Sequence, residues 1–140
     1  MGTVKKIFVL EDDPDRLAWF KEAYADAELH TTKHLDEARK LLAHNNYDTV
    51  YLDHDLGDFD TTLTGYTEHT RSLETGYHLA VWLADRPTVQ KNATVIIHSM
   101  NPGGAERMWA ALMSSRDVAV IPYVLLVKTY IKKQKENNTN

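Results

Sequence analysis

The chain has 140 residues, 43% hydrophobic and 26% charged, with a formal net charge of −4, which fits one globular domain with a core large enough to stand alone. It has no cysteine, which excludes disulfides, thiolate catalysis and cysteine-ligated zinc or iron–sulfur centres, so any metal must take oxygen or imidazole ligands. No apolar run of about 18 residues and no charged-then-apolar leader is present, so a cytoplasmic protein without a membrane span is expected, and the acidic balance disfavours nucleic acid as an obligatory partner.

In chain order, "VKKIFVL" (4–10) has strand composition, and "PDRLAWFKEAYADA" sets Leu17, Phe20 and Tyr24 at helical spacing behind Pro14, a residue suited to the first helical position. A short strand is predicted over 28–32, then the amphipathic "LDEARKLLAHN" with Ala38, Leu41 and Leu42 on one face. "YDTVYLD" reads as the third strand and "GYHLAVWLAD" as a helix; "ATVIIHS" is the fourth strand and "PGGAERMWAALMSS" its helix. "VAVI" and "VLLVKTYIKKQK" complete five β–α units, with a solvated tail that frays from about residue 134. This alternation predicts one α/β domain over 1–140, a parallel sheet covered on both faces. Residues 56–75 form a stretch rich in Thr, Gly and acids, longer than the usual connection of about 2 to 6 residues. It reads equally as a surface insertion or as a lid that would bring Tyr66, His69 and Arg71 to a ligand.

Ligands of open parallel sheets bind outside the carboxyl ends of the strands, and three predicted strand ends carry ligating side chains. Glu11, Asp12 and Asp13 follow the first strand; Asp53, His54 and Asp55 the third; His98, Ser99 and Asn101 the fourth. Two carboxylates about 4 Å apart repel by about 4 kcal/mol at an effective dielectric near 20. A divalent cation, Mg²⁺ or Mn²⁺, would offset that, or the carboxyls would share a proton. Asp13, directly before Pro14, has the place of a helix N-cap. His54 alternates away from Asp53 in a strict strand, toward solvent or the insertion. His98 fits either a buried, hydrogen-bonded histidine or a catalytic one. In "NPGGAERM", Asn101 can cap, and Gly103 and Gly104 would leave first-turn amides open to an anion, with Arg107 about one turn on; a capped helix packed tightly on the sheet is the alternative.

Taken together, nearly the whole chain resembles the receiver domain of response regulators. The resemblance lies in the acidic pair of "LEDDP", the acid of "YLDHD", the hydroxyl of "IIHSM" and the Gly-led helix "TGYHLAVWLAD". It implies a flavodoxin-like five-stranded sheet of order 2-1-3-4-5, Mg²⁺ on Glu11, Asp12 and Asp53, and phosphoryl acceptance by Asp53. Receivers carry a Lys before the Pro after strand five; here Ile121 precedes Pro122. With that departure, "LEDDPDR", "LDHDL" and "HSMNP" look like the divergent cyclic-phosphate-processing receiver-like family. This implies a metal-dependent phosphohydrolase or cyclic phosphodiesterase acting on a cyclic-phosphate nucleotide or ADP-ribose derivative. Glu11, Asp12, Asp53 and Asp55 would hold Mg²⁺ or Mn²⁺, His98 or else His54 would move the proton, and Ser99, Asn101, Gly103, Gly104 and Arg107 would hold the phosphate. A phospho-accepting or pseudo-receiver signalling domain, and a nucleotide binder without turnover, are the competing readings.

Overall fold

The computed structural model describes residues 4–56 and 75–138. Strands β1 (Lys6–Leu10), β2 (Glu28–Thr32), β3 (Thr49–Leu52), β4 (Thr94–Ile97) and β5 (Val118–Val120) form one parallel sheet of order β2-β1-β3-β4-β5, as expected. Helices α1 (Pro14–Ala23), α2 (Leu35–His44), α3 (Gly76–Ala84), α4 (Pro102–Leu112) and α5 (Tyr123–Asn138) alternate with them. The last helix continues to Asn138, past the point at which the sequence suggests fraying. None of the described helices is long and apolar enough to cross a membrane.

The period of two along each strand sorts side chains onto two cores. Phe8 and Leu10 of β1, with Val50, Leu52, Val95 and Ile97, meet Leu42 of α2, Leu79 and Leu83 of α3 and Met108 of α4. Ile7 and Val9, pointing the other way, join Tyr51, Phe20 of α1 and Leu126 of α5. Helices therefore cover both faces, leaving the strand ends as the open edge.

Register aligns those ends. Leu10 pairs with Thr32 and Leu52, Leu52 with Ile97, and Ile97 with Val120. Ladder-like bonds run one residue further: Glu11 N donates to Thr32 O (3.0 Å), Asp53 N to Leu10 O (3.2 Å), His98 N to Leu52 O (3.0 Å) and Ile121 N to Ile97 O (2.9 Å). Glu11, Asp53, His98 and Ile121 thus stand in one row.

Gly76 opens α3 against this row. Its amide donates to His54 O at 2.9 Å, and a Cβ there would lie 1.8 Å from Asp53 O. Backbone cannot yield as a flexible side chain does, so Gly76→Ala is expected to cost about 3 kcal/mol, the upper part of the overpacking range. Thermal denaturation checks this; a parental melting temperature would contradict the close approach.

Candidate functional site

The first acid and the fourth-strand histidine form a buried pair. Glu11 is 1% exposed and His98 0%, and Nε2 of His98 lies 2.8 Å from Oε1 of Glu11. The other carboxylate oxygen, Oε2, accepts from the amides of Asp12 and Asp13, each at 3.1 Å. Burial works to raise the Glu11 pKa, but the His98 hydrogen bond and charge, the Asp13 amide and Arg16 outweigh it, and the net direction is down. Burial pushes His98 down despite Glu11. Because an ionised carboxylate only accepts, Nε2 of His98 is the donor of the pair. His98 Nδ1 is buried without a partner, and the ring packs edge-on to Phe20, with centroids 5.2 Å apart.

Asp53, 3% exposed, sits beside Glu11. Its Oδ1 accepts from the His54 amide at 2.8 Å. Burial and the negative charge of Glu11 push its carboxyl up to about 8, against the pull of the His54 amide and Arg16. Ligand atoms of Glu11, Asp53 and His98 all lie within 4.8 Å of one another, a spacing that a single metal ion could span. With no ion bound, the folded chain keeps a proton on Asp53 that the unfolded chain releases near pH 4. Stability from this group is therefore full below about pH 4 and is lost as pH rises through about 8. In chelator, the melting temperature should fall between pH 6 and pH 8.5 on this account, as read by calorimetry; a rise would contradict it.

His54 keeps the alternation, on the side of Val50 and Leu52, but it does not face solvent: α4 covers that side, and His54 is 7% exposed. Its ring packs on α4, where a Cβ on Gly104 would lie 2.4 Å from His54 Cγ. Nδ1 of His54 is 2.7 Å from Oδ1 of Asp55. Gly104 thus admits the His54 ring, and its amide already donates to the Asn101 Oδ1 cap at 3.1 Å. Asn101 Nδ2 reaches Asp55 Oδ1 at 3.3 Å. Ser99, 2% exposed, accepts from the Asn101 amide through Oγ at 3.0 Å. A Cβ on Gly103 would lie 3.5 Å from Nη1 of Arg107, so that guanidinium folds back toward the start of α4. Asp13 caps α1, accepting from the Asp15 and Arg16 amides at 2.8 and 3.1 Å. Tyr66, His69 and Arg71 lie outside the described residues.

A crevice of about 480 Å³ opens over the row, lined by Glu11, Asp12, Asp13, Asp53 and Asp55 together with Arg16, Lys33 and Met100. Met100 also borders a second groove, about 660 Å³, whose walls include Ser99, Trp109, Pro122 and Leu125. Arg16 and Lys33 were not legible as site residues. Arg16 carried one signal: a cation in the first turn of a helix opposes the macrodipole and calls for another reason.

Solved receiver domains share this fold. The phosphorylated cyanobacterial phytochrome response regulator RcpA is similar at TM-score 0.65 and 19% identity, with 91% of this chain and 89% of that one covered. TrrA from Thermotoga maritima, in complex with Mg²⁺–BeF, is similar at TM-score 0.59 and 22% identity, covering 93% and 98%. A Pseudomonas aeruginosa sensor-kinase receiver with magnesium in its active-site cleft is similar at TM-score 0.62 and 13% identity, covering 93% and 97%. No curated protein matches the chain. Over residues 7–114 it matches the family described as the Cyclic-phosphate processing Receiver domain, and it belongs to that family.

Proposed function

We propose that the crevice binds a divalent cation on Glu11 and Asp53, with Asp12 and Asp55 at its rim, and hydrolyses the cyclic phosphate of a nucleotide or ADP-ribose-type ligand. The observation that carries this reading is the buried pair of carboxylates set in register on adjacent strands, in a chain of the cyclic-phosphate-processing family. A pair whose repulsion helps to lift one carboxyl to about 8 is short of positive charge, and its oxygen-rich donors suit Mg²⁺ or Mn²⁺. The magnesium in the Pseudomonas receiver cleft and the Mg²⁺–BeF of TrrA support a cation at this edge. When bound, such a cation polarises a phosphoryl oxygen and lowers the pKa of water.

The chain's own groups then have separate tasks. His98 Nε2–H holds Glu11, leaving the imidazole without access to the crevice except through that carboxylate. Asp55 engages Nδ1 of His54, so Nε2 is the ring nitrogen left to move a proton in this reading. The Ser99 hydroxyl accepts from Asn101, so its proton is available to a phosphate oxygen. One water adds across the ring: its oxygen bonds to phosphorus, one ring P–O bond breaks, and a proton passes to the freed sugar oxygen, leaving a phosphomonoester. The apolar groove meets the acidic crevice at Met100, and Trp109 offers a surface for the heterocycle of the same ligand.

A second reading has Asp53 accept a phosphoryl group, which likeness to phosphorylated RcpA supports. Incubating the protein and Mg²⁺ or Mn²⁺ with cyclic dinucleotides, nucleoside 2′,3′-cyclic phosphates and ADP-ribose cyclic phosphate, then weighing ligands and protein by mass spectrometry, separates the readings. Hydrolysis adds one water to the ligand; phosphoryl acceptance adds mass to the protein; sequestration returns the ligand unchanged.

A further inference from the structure

The end of β5 brings no cation to the crevice. Ile121, Pro122 and Tyr123 stand there, with the Tyr123 amide donating to His98 O at 3.0 Å. Positive charge arrives from α1 instead. Nη1 of Arg16 lies 3.8 Å from Oε1 of Glu11 and 4.0 Å from Oδ2 of Asp53. Both separations exceed hydrogen-bond length, so the acids attract the guanidinium without consuming its donors in a closed bidentate bridge. Its carbon sits 5.1 Å from the centre of the Tyr123 ring, and that ring is braced edge-on by Trp19 at 5.6 Å. The Arg16 amide is tied to Asp13 Oδ1 at 3.1 Å. The side chain is thus held over both carboxylates, 26% exposed to the crevice.

An anionic ligand entering this crevice meets Glu11, Asp12, Asp13, Asp53 and Asp55, and among the lining residues only Arg16 and Lys33 oppose them. Lys33 is exposed at the rim, where solvent and salt weaken its pull. Arg16 is half-buried and stacked, and a planar guanidinium matches two phosphoryl oxygens at once. We infer that Arg16 receives the phosphoryl oxygens of the ligand, with the Tyr123 ring as its positioning residue, so that the crevice takes its fixed cation from the first helix. This rests on reading the crevice as a phosphate site. It does not depend on whether the phosphate is hydrolysed, transferred or only bound.

The test uses inorganic phosphate as the probe on Mg²⁺-loaded protein, followed by ³¹P line width and Trp19 fluorescence, with Mg²⁺ affinity measured separately by calorimetry. Arg16→Gln should weaken phosphate about 10- to 100-fold, the range of a lost charge-assisted contact. Arg16→Lys should lose less, and Tyr123→Leu should lose more than Tyr123→Phe. Mg²⁺ affinity of Arg16→Gln should rise, because a neighbouring positive charge is gone. A merely structural arginine would lower both affinities together, which would overturn the inference. Equal phosphate affinity in parent and Arg16→Gln, or no phosphate binding by the Mg²⁺-loaded parent, would overturn it as well. If Arg16→Gln does not fold, parental affinity in Arg16→Lys and Tyr123→Leu alike is the overturning result. Failure of the hydrolytic reading shows differently, as intact cyclic phosphate with the parent, and leaves this comparison standing.

Discussion

Asp53→Asn should remove about 10³-fold or more of turnover and most of the stabilisation by Mg²⁺, yet raise the melting temperature of the metal-free protein at pH 8.5. The two signs have one cause. Asp53 is 3% exposed beside Glu11, and burial and that neighbour lift its carboxyl to about 8. At pH 8.5 the folded chain must therefore carry two close, buried negative charges. An amide keeps the shape and the acceptor oxygen for the His54 amide, now 2.8 Å from Oδ1, without the charge. The gain should be several degrees, since about 1 kcal/mol moves the midpoint of a domain this size by roughly 4 °C. It should shrink toward pH 5, where the parent carboxyl is already protonated. Calorimetry with chelator and with Mg²⁺, at both pH values, reads every part of this. Equal Mg²⁺ stabilisation of variant and parent would take Asp53 out of the cation site.

The second large effect lies at His98. His98→Ala leaves the Oε1 side of a buried Glu11 without its donor and opens a void beside Phe20. Breaking one partner of such a pair costs about 3–5 kcal/mol. His98→Gln keeps an N–H donor in the same direction. It should recover most of that stability and retain turnover within about 10-fold, because on this account the imidazole positions Glu11 and exchanges no proton with the ligand. A group acting as general acid or base would instead lose about 10²- to 10⁴-fold in any variant lacking an imidazole. Denaturant melts and turnover on the same folded preparation separate the two; a loss of that size in fully folded His98→Gln would return proton transfer to His98.

Some of this arrangement was plain in the residues. The β–α alternation gives the parallel sheet, and the acids and hydroxyl just past "IFVL", "VYL" and "VII" fall at one edge because β1, β3 and β4 end in register at Leu10, Leu52 and Ile97. The burial of His54 was not legible: alternation puts it on the side of Val50 and Leu52, but the strand alone does not show that α4 covers that side at Gly104. The role of Gly104 was hidden for a related reason. Its need for space comes from a ring 50 positions away in the chain, whereas the local sequence speaks only of helix capping. His98 was open between two readings, and its partner Glu11 is 87 residues distant. Arg16 was masked by its place beside Asp15 in the first turn of a helix, where a charged residue looks like ordinary solvent-facing surface.

The most direct measurement is the mass of an ADP-ribose cyclic phosphate or nucleoside 2′,3′-cyclic phosphate after incubation with the protein and Mg²⁺ or Mn²⁺, beside a chelator control and Asp53→Asn. The account predicts a gain of one water in the parent sample with metal, and unchanged ligand in both controls. Ligand recovered intact from the metal-loaded parent across the panel, or water added equally by parent and Asp53→Asn, would contradict it.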